Sequence, residues 1–192
     1  MTRHLSMLFT LICFLTTTCL ADDAQEAVAL LSDALKCPIS PKIVDSNDTD
    51  ITARMTTLSG IHIVNKYTGT EEYLQIETEK RISSGYQFMN RTVYRVPYSQ
   101  LAYSSINFVN GRYGVVWLCD SDRGACTSVR FANVSCSPNT DNYCLDDLPY
   151  RMSSTARQAI ELCDAETAGY AKLAIDTLIR HAKSNALQKP TP

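Results

Sequence analysis

The chain predicts an α+β fold: an antiparallel sheet or partly closed barrel of about six to eight strands, with a short helix before it and a long helix after it. Three observations carry this. Apolar residues recur at helical spacing over 24–35, β-branched and aromatic residues alternate over 51–131, and helical spacing returns after Thr155 and runs to Ala182.

In chain order, the first segment lies outside that fold. Arg3 and His4 precede an apolar stretch from Leu5 to Leu15 that is interrupted only by Ser6 and Thr10. This is the length of a signal-peptide core and falls short of the roughly 20 residues that cross a bilayer. Cys19-Leu20-Ala21 puts small residues at positions −3 and −1 of a cut after Ala21, so residues 1–21 are expected to be removed and Asp22 to open the mature chain. The rival reading is lipid attachment at Cys19, but Thr16 stands where such sites carry leucine. No later segment reads as a membrane span, and the expected location is secreted or periplasmic.

Residues 22–184 are expected to form one domain. Ala24, Ala27, Val28, Leu31 and Leu35 mark a short amphipathic helix, with Asp23 and Glu26 spaced like a capping box and Pro38 as its stop. The stretch 38–50 holds two prolines and a polar run, and reads as a connecting loop. Strand-like runs follow at 51–58, 60–66, 72–79, 85–89, 91–96, 104–109, 113–119 and 125–131. Asn110-Gly111 predicts a tight hairpin, because both residues tolerate positive φ. The last three runs are expected to form a meander. Residues 132–152 read as an irregular connection. After Ser153-Ser154-Thr155 a helix of about 28 residues is expected, its stripe including Ile160, Cys163, Ala168, Ala171, Ile175, Leu178 and Ala182, with Asp164 to Gly169 as the place for a break. Residues 185–192 read as a disordered tail. A barrel of about seven strands followed by one helix is also the arrangement of the pleckstrin-homology-like fold, an analogy of architecture that leaves function open.

Of the eight cysteines, Cys13 and Cys19 fall in the signal region, which leaves six. There is no C-x-x-C, and His62 and His181 are too few for a mixed zinc site, so disulfides are expected and neither metal nor cofactor is. Two pairs are close in sequence, Cys119 with Cys126 and Cys136 with Cys144. Cys37 and Cys163 are left for each other.

The chain has 18 Lys and Arg against 20 Asp and Glu, a formal net charge of −2. Losing Arg3 with the signal segment makes it −3. Bases such as Arg54, Lys66, Arg91, Arg112 and Arg130 are scattered along the chain, and nucleic acid is not an expected partner. His62 sits on a strand and His181 in a last helical turn, and no motif supplies a nucleophile for either, so no catalytic residue is assigned. Glu71 and Glu72 flank a turn. Glu77 and Glu79 share one strand face, which reads as solvated, and Asp120-Ser121-Asp122 lacks the later ligands of a calcium loop. Tyr86, Tyr94, Tyr98, Tyr103 and Tyr113 could line a binding face or merely suit strands. Sequons at Asn47, Asn90 and Asn133 are close to the chance number.

These readings lead to an exported, non-catalytic binding or inhibitory protein whose partner is a protein or small ligand. The first alternative is a small-ligand or lipid carrier using a barrel interior, and the second a hydrolase with only carboxylates. The recognition element expected is the loop carrying Asp120, Asp122 and Arg123, since flanking cysteines can hold it rigid and lower the entropy lost on binding.

Overall fold

Local periodicity sets the two helices, and long-range register sets everything between them. The computed structural model describes residues 23–37, 42–47, 49–56, 60–82, 87–109, 111–120, 124–136 and 151–188. Helix α1 (23–35) buries Ala24, Ala27, Val28, Leu31, Ala34 and Leu35, the stripe that its spacing requires. Ten strands follow: β1 (Lys42–Ser46), β2 (Asp50–Thr56), β3 (Ile61–Gly69), β4 (Tyr73–Ile82), β5 (Gln87–Pro97), β6 (Leu101–Val109), β7 (Arg112–Cys119), β8 (Thr127–Cys136), β9 (Arg151–Thr155) and β10 (Arg157–Leu162). A short 3₁₀ turn, Tyr98–Gln100, joins β5 to β6, and helix α2 runs from Ala165 to Gln188.

The strands form two antiparallel sheets, one ordered β1-β2-β3-β4-β5-β8-β9 and the other β10-β7-β6. Among the described residues each sheet stays open, with an edge strand at either side. The class is therefore the α+β one, with a short first helix and a long last one. Helix α2 packs on β6, the 3₁₀ turn, β7 and β10. Between helices and sheets lie Trp117, Tyr98, Leu31, Ile51, Leu74, Leu101, Leu162, Ile175 and Leu178, all fully buried. Burial of each aliphatic side chain among them contributes about 1.5–3 kcal/mol.

Four expectations change. Residues 42–46 are a strand instead of loop: Ile43 and Val44 suit a pleated edge, and pairing with β2 outweighs the nearby prolines. The expected meander is broken, because β8 leaves β7 and pairs with β5, while β10 takes the place beside β7. The turn after Cys119 thus carries the chain from one sheet to the other. The helix expected after Thr155 begins only at Ala165; its first part is β10, preceded by β9, and in β10 Ile160 and Leu162 are buried and Ala159 and Glu161 exposed, a period of two. Finally, α2 continues through Gln188, beyond the tail boundary expected at 184. The hairpin at Asn110-Gly111 is as expected: Val109 pairs with Arg112, and Gly111 has φ +78°.

Two disulfides hold the layers together. Cys37–Cys163 ties the end of α1 to the start of α2, and Cys119–Cys126 ties the end of β7 to the start of β8. They suit an oxidising environment. The pairing of Cys136 with Cys144 lies outside the described residues. No described helix is long and apolar enough to cross a membrane.

Candidate functional site

Side chains of both charge signs meet around the C-terminal half of α2. Three segments arrive there. The first is the β3–β4 turn, which Thr70 shapes: its hydroxyl oxygen accepts the N–H of Tyr73 at 3.1 Å and of Glu72 at 3.3 Å. The second is the 3₁₀ turn, tied to the first by the Tyr98 N–H donating to the Glu72 carbonyl at 3.0 Å. The third is the β7–β8 connection, where the Asp120 N–H donates to the Gln100 carbonyl at 3.0 Å. From α2, Lys183 reaches Asp120 at 3.3 Å, and His181 reaches Glu71 at 3.6 Å.

Between the first two segments and α2 lies an open groove of about 750 Å³, lined by Glu71, Glu72, Tyr73, Arg95, Ser99 and His181 among others. This lies within the size range of small-molecule and side-chain pockets. The Arg95 guanidinium stacks 3.9 Å from the centroid of the Tyr73 ring, which holds a positive charge beside the two glutamates. His181 is nearly buried, and its Nε2 meets both Asn185 Nδ2, at 2.9 Å, and Glu71 Oε2. Both contacts fall on one ring nitrogen. A nucleophilic relay needs the two nitrogens on different partners, one an acid and the other a hydroxyl or thiol.

Asp120 is not among the residues that line this groove; its ion pair is with Lys183, two residues along α2 from the lining His181. Asp122 and Arg123 lie outside the described residues, as do Tyr86 and Cys144. Neither His181 nor the Glu71 turn stands out in the sequence as a site, because 110 residues separate them and only the packing of α2 joins them. The tyrosines do not share one face. Tyr98 is fully buried, and burial pushes its phenol far above the usual range, so it stays protonated. Tyr94 and Tyr113 pack against the core, and Tyr103 is exposed.

Two charge readings are corrected. Glu77 is buried and ion-paired to Arg91 at 2.8 Å, with Glu79 paired to Arg81 at 2.5 Å, so that strand face is not simply solvated. The scattered bases gather as well. By register, Arg54, Lys66, Arg81, Arg91, Arg95 and Arg130 all lie on the outer face of the seven-stranded sheet. Over β2, β3, β4, β5 and β8 that face carries six of the 18 bases and three of the 20 acids (Asp50, Glu77, Glu79), or +3, leaving −5 for the rest of the chain. Alternation along each strand was the signal in the sequence, but it needs the register before the faces can be joined.

A smaller groove of about 380 Å³ opens on the three-stranded sheet, lined by Arg112, Gly114, Arg157 and Glu161 among others. Arg112 pairs with Glu161 at 2.6 Å across it. Comparison with models of known protein families, with curated proteins and with solved structures finds no match for the chain.

Proposed function

We propose that this is an exported, disulfide-braced binding or inhibitory protein that engages its partner with the end of the molecule around the C-terminal half of α2. The observation that carries the reading is the convergence there of three constrained segments. The Cys119–Cys126 bond fixes the β7–β8 connection, Thr70 fixes the β3–β4 turn, and the 3₁₀ turn is bonded to both. A surface held in place before binding loses less entropy when it docks. Glu72 and Arg95 offer opposite charges to a partner, and His181 is held by Glu71 and Asn185 in a way that supports a binding role.

The test is affinity capture from the native compartment, with the wild-type protein and two variant pairs as baits. Glu72→Ala with Arg95→Ala removes the groove charges, and Asp122→Ala with Arg123→Ala removes those of the loop. The expected result is at least about a tenfold loss of captured partner for one pair or both, with melting temperature nearly unchanged. Equal capture by both pairs would remove this end of the molecule from consideration.

A further inference from the structure

The two sheets end in four edge strands, and three of these are protected. An edge strand presents a row of backbone N–H and C=O groups, and charge, brevity or a bulge is what keeps another strand from pairing with it. β1 and β9 have five residues each; β1 carries Lys42, Asp45 and a register shift, and β9 opens with Arg151. β10 carries Arg157 and Glu161.

β6 is different. It has nine residues, none of them charged, and its one irregularity lies at its start, between Leu101 and Tyr103. Among the described residues no strand lies along its outer side. Large side chains are exposed on both of its faces: Tyr103 at 54% on the outer face, and Ile106 at 40% and Phe108 at 60% on the inner one.

We propose that two copies of this chain pair antiparallel through β6 about a two-fold axis, joining their three-stranded sheets into one sheet of six. Centred on Ser105, the regular part of the strand overlaps itself from Tyr103 to Asn107, clear of the register shift at its start. Tyr103 then faces Asn107 of the second copy on the outer face, and Ser104 faces Ile106 on the inner one, so each side chain stays on its own face.

Charge selects this occupant. β6 against β6 places no ionised group beside another, whereas pairing with β1, β9 or β10 of a second copy would set a charged side chain against the apolar residues of β6. Having one unprotected edge per copy also closes the assembly at two and prevents a filament. With about 200 Å² for a whole aromatic side chain, Tyr103 and Phe108 together expose ~230 Å² per copy, or ~450 Å² in the pair. Ile106 and the strand backbones add to this. So does α2, whose Asp176 is bonded to Ser104 at 2.6 Å and which exposes Leu173 one turn earlier. The aromatic share is about half of the ~1,000 Å² of a specific interface, so the pairing is expected to be weak and to depend on concentration. The pairing uses none of the residues that line the larger groove beside α2, so each copy would keep that groove, while Asn107 borders the smaller one.

Sedimentation velocity on the chain from Asp22, over about 1 to 200 μM, tests the pairing together with hydrogen exchange at both ends of that range. The mass is expected to double, and deuterium uptake over 101–109 to fall as the dimer forms. Tyr103→Lys and Phe108→Lys should each weaken the dimer at least about tenfold, while Leu187→Lys, on the exposed end of α2, should behave as wild type. If Phe108→Lys unfolds, Tyr103→Lys decides alone. A monomer at every concentration overturns the proposal, as does a dimer with unchanged uptake over 101–109 or one indifferent to Tyr103→Lys. A monomer whose 101–109 amides become protected only by a captured partner would assign the edge to a foreign strand, and overturns it too.

Discussion

Gly114 shows how one missing methyl group decides a strand pairing. It faces Glu161 across the β7–β10 ladder, and a Cβ placed there would lie 2.7 Å from the Ile160 carbonyl oxygen, which is backbone and cannot swing aside. Gly114→Ala is therefore expected to cost about 1–3 kcal/mol, read by urea denaturation, because β10 must shift. Asp164 acts at the same scale on α2. Its carboxylate accepts the Thr167 N–H at 2.8 Å and the Thr167 hydroxyl, and these bonds hold its carboxyl below the ordinary range. A lowered folded value means stability that is present above the unfolded pKa and is lost as pH falls through the folded one. The melting-temperature gap between wild type and Asp164→Ala should accordingly be widest near neutral pH and shrink on acidification below about pH 4. At this scale the sequence was partly readable. The break between Asp164 and Gly169 could be suspected from composition, but the need for glycine at 114 could not, since it depends on a strand 46 residues away.

Among the elements, those defined by local spacing were legible. The α1 stripe and the Asn110-Gly111 hairpin depend on neighbours within a few residues, and so a pattern of period 3.6 or a turn dipeptide suffices to find them. Residues 156–162 read as helix because Ile160 and Cys163 also fit a helical stripe. The deciding fact is tertiary: β10 fills the open side of β7, where Ile160 pairs with Val115 and Leu162 with Tyr113. Which sheet receives β8 could not be read either, since nothing near residues 127–136 distinguishes β5 from β7 as a partner. The cysteines did better, because elimination after the two short loops left Cys37 for Cys163. That bond spans a sequence separation of 126. Replacing both with serine should cost about 2–5 kcal/mol, measured by chemical denaturation, since a loop of this length strongly restricts the unfolded chain. Peptide mapping without reduction should recover the two segments joined.

For the molecule as a whole, charge and covalent connection both run across the sequence instead of along it. Bases far apart in the chain share one sheet face, and Glu71 meets His181 only after the sheets are assembled. The groove is therefore hidden in the linear sequence, whereas a loop flanked by cysteines is visible in it. The Cys37–Cys163 bond has a further consequence, for biogenesis. Of the six cysteines after residue 21, Cys37 is the first and its partner the last, and that is the order in which an oxidising compartment entered from the N-terminus would receive them. Cysteines joined in order of arrival would link Cys37 to Cys119, which cannot be reconciled with either native bond. The chain must therefore either keep the Cys37 thiol unpaired until α2 has entered or rely on disulfide exchange to correct it. Its maturation is in that sense written from both ends, and a truncation near the C-terminus that removed Cys163 would leave a reactive thiol at the end of α1.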